Sequence, residues 1–122
     1  MDLRELIASL SAHQERELAL LAELERRPAL SEADLAELLS LLYGRRRHHA
    51  LLRNLGPQSV SAPEREDLRR ALGNVLRREE EIRSRLLALR QRLEEKRRGL
   101  GRTQLALAGY RHHAARPPTR LP

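Results

Sequence analysis

Cysteine, phenylalanine and tryptophan are absent from this chain of 122 residues, and tyrosine occurs only twice. Without cysteine there is no disulfide framework and no thiol chemistry, which fits a reducing compartment. Valine and isoleucine, which favour strands, occur twice each, whereas leucine occurs 27 times. This composition predicts an all-α fold.

Acidic residues are missing after Glu95. Residues 1–95 hold 17 acidic and 17 basic side chains, so the net charge of +7 lies wholly in residues 96–122. The chain is therefore not basic throughout. It has a neutral part rich in charges of both signs and a basic C-terminal arm.

Long apolar runs are also missing. No window approaches the roughly 18 consecutive apolar residues of a membrane span. The opening residues have neither the basic end nor the apolar core of a signal peptide. We expect a cytoplasmic protein that does not insert into a membrane.

Apolar residues, mostly leucines, recur with a period of 3.5 residues through the second half of the chain; we call this pattern the leucine repeat. Alternate steps of four and three residues from Leu68 to Tyr110 reach thirteen positions, of which ten are apolar or aromatic. A period of 3.5 over this length predicts a helix that packs against other helices. Glu79 and Lys96 interrupt the repeat. Either they fix the register of packing or the helix turns its apolar face there, and we favour the second interpretation.

Capping residues mark three helix starts. Asp2, Ser31 and Ser61 each precede a run with an acidic residue in its first turn. Pro28 disfavours continuation of the first helix, and Gly-Pro at 56–57 ends the second. We predict helices at about 2–26, 32–54 and 62–98.

Glycines at 99 and 101 are expected to stop or hinge the third helix. A short helical piece at 102–108 is expected to follow. Residues 1–110 then form a single helical domain. Residues 111–122, which contain two adjacent prolines and few residues to bury, are expected to form a disordered basic tail.

The predicted helix lengths leave part of the leucine repeat uncovered. At 1.5 Å per residue the three helices measure about 37, 35 and 55 Å. In an up-down-up bundle, about 20 Å of the third helix, from Leu89 to Leu107, lacks an intramolecular partner. If Pro28 only kinks one long arm, that arm and the third helix form an antiparallel hairpin instead. Both arrangements expose leucines in a stripe of the kind that marks an interface.

The first helix has a polar gap in its apolar face at His13, Gln14 and Glu17. We interpret this gap as a local exit of the helix from the core.

Residues that could carry chemistry are few. The run Arg-His-His-Ala occurs at 47–50 and again at 111–114. Adjacent histidines on a helix point about 100° apart, so neither pair forms a metal site. We expect His49 at the edge of the core and His48 in solvent. The glutamates at 79–81 and 94–95 lie beside arginines and form a charged surface. With no phosphate loop and no nucleophile motif, we expect neither an enzyme nor a cofactor.

The basic arm and Tyr110 allow more than one interpretation. Phosphate neutralisation by the arm would bind nucleic acid, but its arginines are scattered and Tyr110 is its single aromatic, so we disfavour this function. Tyr110 either anchors a partner or caps the end of the bundle.

Four leucine-rich segments follow one another along the chain. A Leu/Glu-rich first helix (ERELALLAEL, 15–24) is followed by an acidic-capped segment (LSEADLAELL, 30–39) and by LLRNL at 51–55. A long Leu/Arg/Gln helix then ends in LALAGY at 105–110. In this order of segments the chain resembles the FlgN/FliT class of flagellar export chaperones, and the resemblance covers most of the chain.

This resemblance implies a cytoplasmic chaperone of type III flagellar export. Its partners would be hook-associated, junction or cap proteins, whose amphipathic terminal helix it would mask and deliver to the export gate. The client-binding region of the family matches Leu86, Leu89, Leu93, Leu100, Leu105 and Leu107. The tyrosine that docks at the export gate in the family matches Tyr110. A homodimer or a structural coiled-coil component of a secretion apparatus, held through the leucine repeat, stays an open alternative.

Overall fold

The computed structural model describes residues 2–115, with side chains described for residues 2–109. Three helices fill most of this range: α1 (Leu3–Arg26), α2 (Glu32–Arg53) and α3 (Ala62–Ala115). No strand occurs between residues 2 and 115. The all-α prediction is confirmed. No helix in the described range is long and apolar enough to cross a membrane.

Side-chain caps start the helices where the sequence predicts them. The Asp2 carboxylate accepts a hydrogen bond from a first-turn amide at 2.8 Å. Ser31 and Asp34 form a reciprocal capping box. The Ser61 hydroxyl accepts a hydrogen bond from the Glu64 amide at 3.4 Å. Each cap of this type contributes about 1 kcal/mol to helix stability.

The third helix is longer than predicted. α3 continues through Gly99 and Gly101 to Ala115, so the predicted end at residue 98, the separate piece at 102–108 and the disorder of 111–115 are wrong. Residues 116–122 of the predicted tail lie outside the described residues. Glycine weakens a helix by about 1 kcal/mol without forbidding it, and no described glycine has a positive φ. The Thr103 hydroxyl donates to the Gly99 carbonyl at 2.9 Å within the helix.

The chain divides into two compact units, residues 1–86 and the residues from Leu87 onward. In the first unit, the turn at 27–31 reverses the chain between α1 and α2. A hydrogen bond between Ser9 and His48 joins the helix ends that lie farthest from this turn. α1 and α2 are therefore antiparallel. The alternative in which Pro28 merely kinks one long arm is wrong.

α1 and α3 are parallel within the first unit. Ile7 packs in one cluster with Leu68, whereas Glu25 pairs with Arg85 at 3.6 Å near the other end of α1. The first unit is thus an up-down-up bundle. α1 supplies most of its core, namely Leu6, Ile7, Leu10, Leu20, Leu21 and Leu24. Burial of each such side chain contributes about 1.5–3 kcal/mol.

The leucine repeat of α3 consists of two rows with different exposure. One row is buried and recurs every seven residues at Leu68, Val75, Ile82 and, in the second unit, Leu89. The other row, which includes Leu72 and Leu86, is exposed or half-buried. A supercoiling helix buries both rows of its seam, so only half of the predicted seam is covered.

Candidate protein-binding surface

The second unit exposes leucines at regular spacing. Leu93 is half-buried, whereas Leu100 and Leu107 are 65% and 50% exposed. Residues seven apart differ by about 20° around a helix with 3.6 residues per turn, so all three lie within an arc of about 40°. We call these three residues the distal leucine row.

The other leucines predicted to bind a client lie elsewhere. Leu89 is 5% exposed, so a client has no access to it in this structure. Leu86 belongs to the first unit and is half-buried. Leu105 is 74% exposed, but it lies about 160° around the helix from Leu107. One client helix therefore cannot contact both Leu105 and Leu107.

Tyr110, predicted to dock at an export gate, belongs to α3 by its backbone, and its side chain lies outside the described residues.

The helix around the distal leucine row is positively charged. Residues 96–109 contain Lys96, Arg97, Arg98 and Arg102 and no acidic residue. Just before this stretch, Glu94 pairs with Arg90 at 3.1 Å. The row is thus an apolar strip on a basic helix, and it favours a partner with apolar and acidic side chains.

A partly buried polar cluster joins the three helices of the first unit. Its centre is Arg45 of α2, whose Nη1 lies 2.6 Å from Oε2 of Glu79 in α3 and whose Nε lies 2.8 Å from Oε2 of Glu17 in α1. The Nε–H does not point at Glu17, so neither Glu17 oxygen accepts a directed hydrogen bond from the described residues. His49 donates to the other Glu79 oxygen at 3.0 Å. We call this set, with Gln14, the polar cluster.

Gln14 of α1 both donates hydrogen bonds to α3 and accepts one from it. Its amide donates to the Val75 carbonyl at 3.0 Å and to Glu79 at 2.8 Å. Its carbonyl oxygen accepts from Arg78 at 3.0 Å, and Arg78 also donates to the Ser11 hydroxyl at 2.8 Å. These directional bonds fix the height at which α1 and α3 pack together.

Two histidines bond across the interface of α1 and α2. His13 donates from Nε2 to the Leu41 carbonyl at 2.6 Å, and its ring fills the space beside Gly44. His48 lies with Nδ1 2.8 Å from the Gly44 carbonyl and with Nε2 2.7 Å from the Ser9 hydroxyl. A carbonyl only accepts, so each histidine carries its proton on the nitrogen that faces the carbonyl.

The electrostatic environments of the buried Glu17 and the half-buried Glu79 differ. Burial raises the pKa of Glu17 above its ordinary value of 4.5, and the attraction of Arg45 opposes this rise. Burial also acts to raise the pKa of Glu79. Hydrogen bonds from Gln14 and His49 together with the charge of Arg45 outweigh it, and the pKa lies below 4.5. Glu79 is the better-solvated and better-bonded carboxylate.

The polar cluster corrects three interpretations of the sequence. His13, Gln14 and Glu17 do not leave the core, because all three are buried. Glu79 stays at the interface and binds three side chains from the other helices. His48 is not in solvent but is half-buried and hydrogen-bonded.

One sequence signal could have revealed this cluster. The three polar residues of α1 share the leucine face, and the heptad position of Glu79 in α3 is polar as well. Polar residues at seam positions of two helices that pack together indicate contact between them.

Within the described residues, no three histidine, cysteine or acidic side chains form a group that could hold a metal ion. The carboxylates of the polar cluster face guanidinium and imidazole groups of other helices. The cluster therefore holds the three helices together through polar contacts.

Comparison of the chain with models of protein families, with curated proteins and with solved structures gives no match. The likeness to the FlgN/FliT class stays an expectation that rests on the residues quoted above.

Proposed function

We propose that this protein is a helical chaperone without catalytic activity, which holds an amphipathic helix of a client protein on the distal leucine row. The observation that supports this most directly is the exposure of Leu100 and Leu107 on one side of the acid-free stretch of α3 at residues 96–109. Exposed apolar side chains aligned in this way suit recognition of an amphipathic helix by its leucine or isoleucine face.

The resemblance to the FlgN/FliT class supplies the identity of the client within this proposal. The client is then a hook-associated, junction or cap protein of the flagellum, bound in the cytoplasm through its terminal helix. Tyr110 is the position that would contact the export gate. In this proposal, client binding uses Leu93, Leu100 and Leu107, with Leu86, Leu89 and Leu105 outside the contact.

The test is binding of the terminal segments of such proteins to the full chain, measured by calorimetry. Leu100→Asp and Leu107→Asp should each weaken binding by about 10- to 100-fold, because each removes roughly 1.5–3 kcal/mol of apolar burial. Leu105→Asp is the matched control, since it changes another exposed leucine, on the other side of the helix. It should leave the dissociation constant within about twofold.

Three results would contradict the proposal. Failure of every junction, hook-associated and cap segment to bind would remove the client class. Equal loss in Leu105→Asp and Leu100→Asp would mean that the distal leucine row is not the contact. Self-association that Leu100→Asp abolishes, without any client, would favour the structural coiled-coil alternative.

The salt dependence of binding distinguishes the nucleic-acid alternative from the chaperone function. Binding of nucleic acid should weaken steeply with salt concentration, since phosphate contacts release counterions. Client binding through leucines should change much less, because the free energy comes from apolar burial.

A further inference from the structure

α2 carries an exposed apolar stripe that the first unit leaves uncovered. This helix of 22 residues buries only Asp34 and Leu38. Leu35, Leu39 and Tyr43 are exposed, Leu39 by 52% and Tyr43 by 65%. Their spacing of four residues places them on one side of the helix, about 40° apart.

Charged residues of opposite sign end this stripe at equal distances. Glu32 lies seven residues before Leu39 and Arg46 lies seven residues after it. Both are exposed, and both lie within about 20° of Leu39 around the helix. Neither has an ion-pair partner among the described residues.

The stripe is its own complement when a second copy is reversed. A two-fold axis that crosses α2 at Leu39 places Leu35 of one copy against Tyr43 of the other. It likewise places Glu32 of one copy against Arg46 of the other. Leu39 then meets Leu39 of the other copy. A two-fold interface requires this kind of self-complementary surface, and each charge pair in it would occur twice.

We propose that two copies of this chain associate through antiparallel contact of their α2 helices, with Leu39 on the two-fold axis. The paired charges select a second copy over an unrelated helix, because both signs are present at matched distances. This dimer does not depend on the proposed chaperone function, and its contact uses none of the residues of the distal leucine row.

The predicted affinity is low. A contact made by one helix of each copy buries less than the roughly 1,200 Å² typical of stable complexes. The dimer should therefore form in a concentration-dependent way, which sedimentation equilibrium over a wide range of protein concentration detects.

A cysteine at position 39 tests the geometry. Helices in contact have axes about 8–10 Å apart and Cα atoms about 2.3 Å from each axis. Cα atoms on the two-fold axis are therefore about 3.4–5.4 Å apart. At axis separations of about 9–10 Å this distance falls within the range of about 4.4–6.8 Å that a disulfide spans. Because the chain has no cysteine of its own, Leu39→Cys should give a covalent dimer under mild oxidation. Leu76→Cys, at another exposed leucine of the first unit, should not.

Charge exchange tests the pairing. Glu32→Arg and Arg46→Glu should each weaken the dimer by about tenfold, because two attractive pairs become repulsive. The double variant E32R/R46E should restore it. An equal mixture of the two single variants should form heterodimers, since all arginines then face glutamates. Glu37→Arg, on the opposite side of α2, should have no effect on association.

Circular dichroism of every variant shows whether α2 stays folded, since arginine at a helix start is unfavourable. A monomer at all concentrations, without cross-linking of Leu39→Cys, would overturn the proposal. A dimer that ignores the charge exchange, or one that is lost in Leu100→Asp, would also overturn it, because the two copies would then meet at a different surface.

Discussion

At the scale of single residues, Gly44 shows how a side chain on one helix limits the sequence of another. A Cβ atom at this position would collide with the imidazole ring of His13, whereas a Cβ atom at Gly73 would meet nothing within 4 Å. The His13 ring cannot yield freely, since its Nε2 is bonded to the Leu41 carbonyl. Glycine is therefore required at position 44 by packing and not by backbone conformation.

Gly44→Ala should destabilise the protein by about 1–3 kcal/mol, because the His13 ring must move and lose its hydrogen bond. Gly73→Ala, also in a helix, should stabilise it by about 0.5–1 kcal/mol through helix propensity. Urea unfolding of both variants measures the difference.

A His13→Ala background serves as the control for this pair. There Gly44→Ala should no longer be destabilising, since the ring that it meets is gone. Destabilisation by Gly44→Ala that persists without His13 would show that the ring is not the cause.

At the scale of elements, α3 combines a well-covered first part with a second part that holds few buried side chains. The second part contains Gly99 and Gly101, separated only by Leu100, in a region without acidic residues. Each glycine lowers helix stability by about 1 kcal/mol relative to alanine. We therefore expect the amides of residues 97–109 to exchange faster than those around Ile82.

The double variant Gly99→Ala, Gly101→Ala should slow amide hydrogen exchange across residues 97–109 by about tenfold or more, because each replacement contributes up to 1 kcal/mol. No atom obstructs a Cβ at either position. Gly56→Ala, in the loop between α2 and α3, should leave these rates unchanged. Equal exchange in the double variant and in the original chain would show that the glycines do not limit this part of α3.

At the scale of the whole molecule, the polar cluster couples the stability of the first unit to pH. Glu17 has a folded-state pKa above 4.5. At pH values between 4.5 and this folded-state pKa, the native state therefore binds more protons than the unfolded state. Its contribution to stability is therefore present below 4.5 and is lost as pH rises through the folded-state pKa. Glu79, with its lowered pKa, has the opposite effect and contributes above 4.5.

Glu17→Gln and Glu79→Gln should consequently show opposite pH profiles in urea unfolding. Relative to the original chain, Glu17→Gln should gain stability as pH rises from below 4.5 through the folded-state pKa of Glu17. Glu79→Gln should be less stable by about 1–3 kcal/mol at neutral pH, because it loses its charge-assisted bonds. This deficit should shrink as pH falls below 4.5. Profiles of the same sign would contradict the assigned environments.

The sequence by itself determined the fold class, the helix starts and the position of the excess charge. These follow from local causes: the dearth of strand-forming residues, the capping at Asp2, Ser31 and Ser61, and the absence of acids after Glu95. The leucine repeat likewise predicted the buried row of α3, whose members recur every seven residues from Leu68 to Leu89. Such features depend on residues near each other in the chain.

Only the tertiary structure decided where the polar residues of the seam go and where α3 ends. Glu17, Arg45 and Glu79 are far apart in the chain, and the burial of a charged side chain depends on what other helices bring to it. From the sequence alone we expected α3 to turn its apolar face away from the other helices at Glu79. We also expected α3 to break at Gly99. The helix lengths predicted an uncovered part of α3, but not the uncovered face of α2, because a leucine is exposed or buried according to which neighbours reach it.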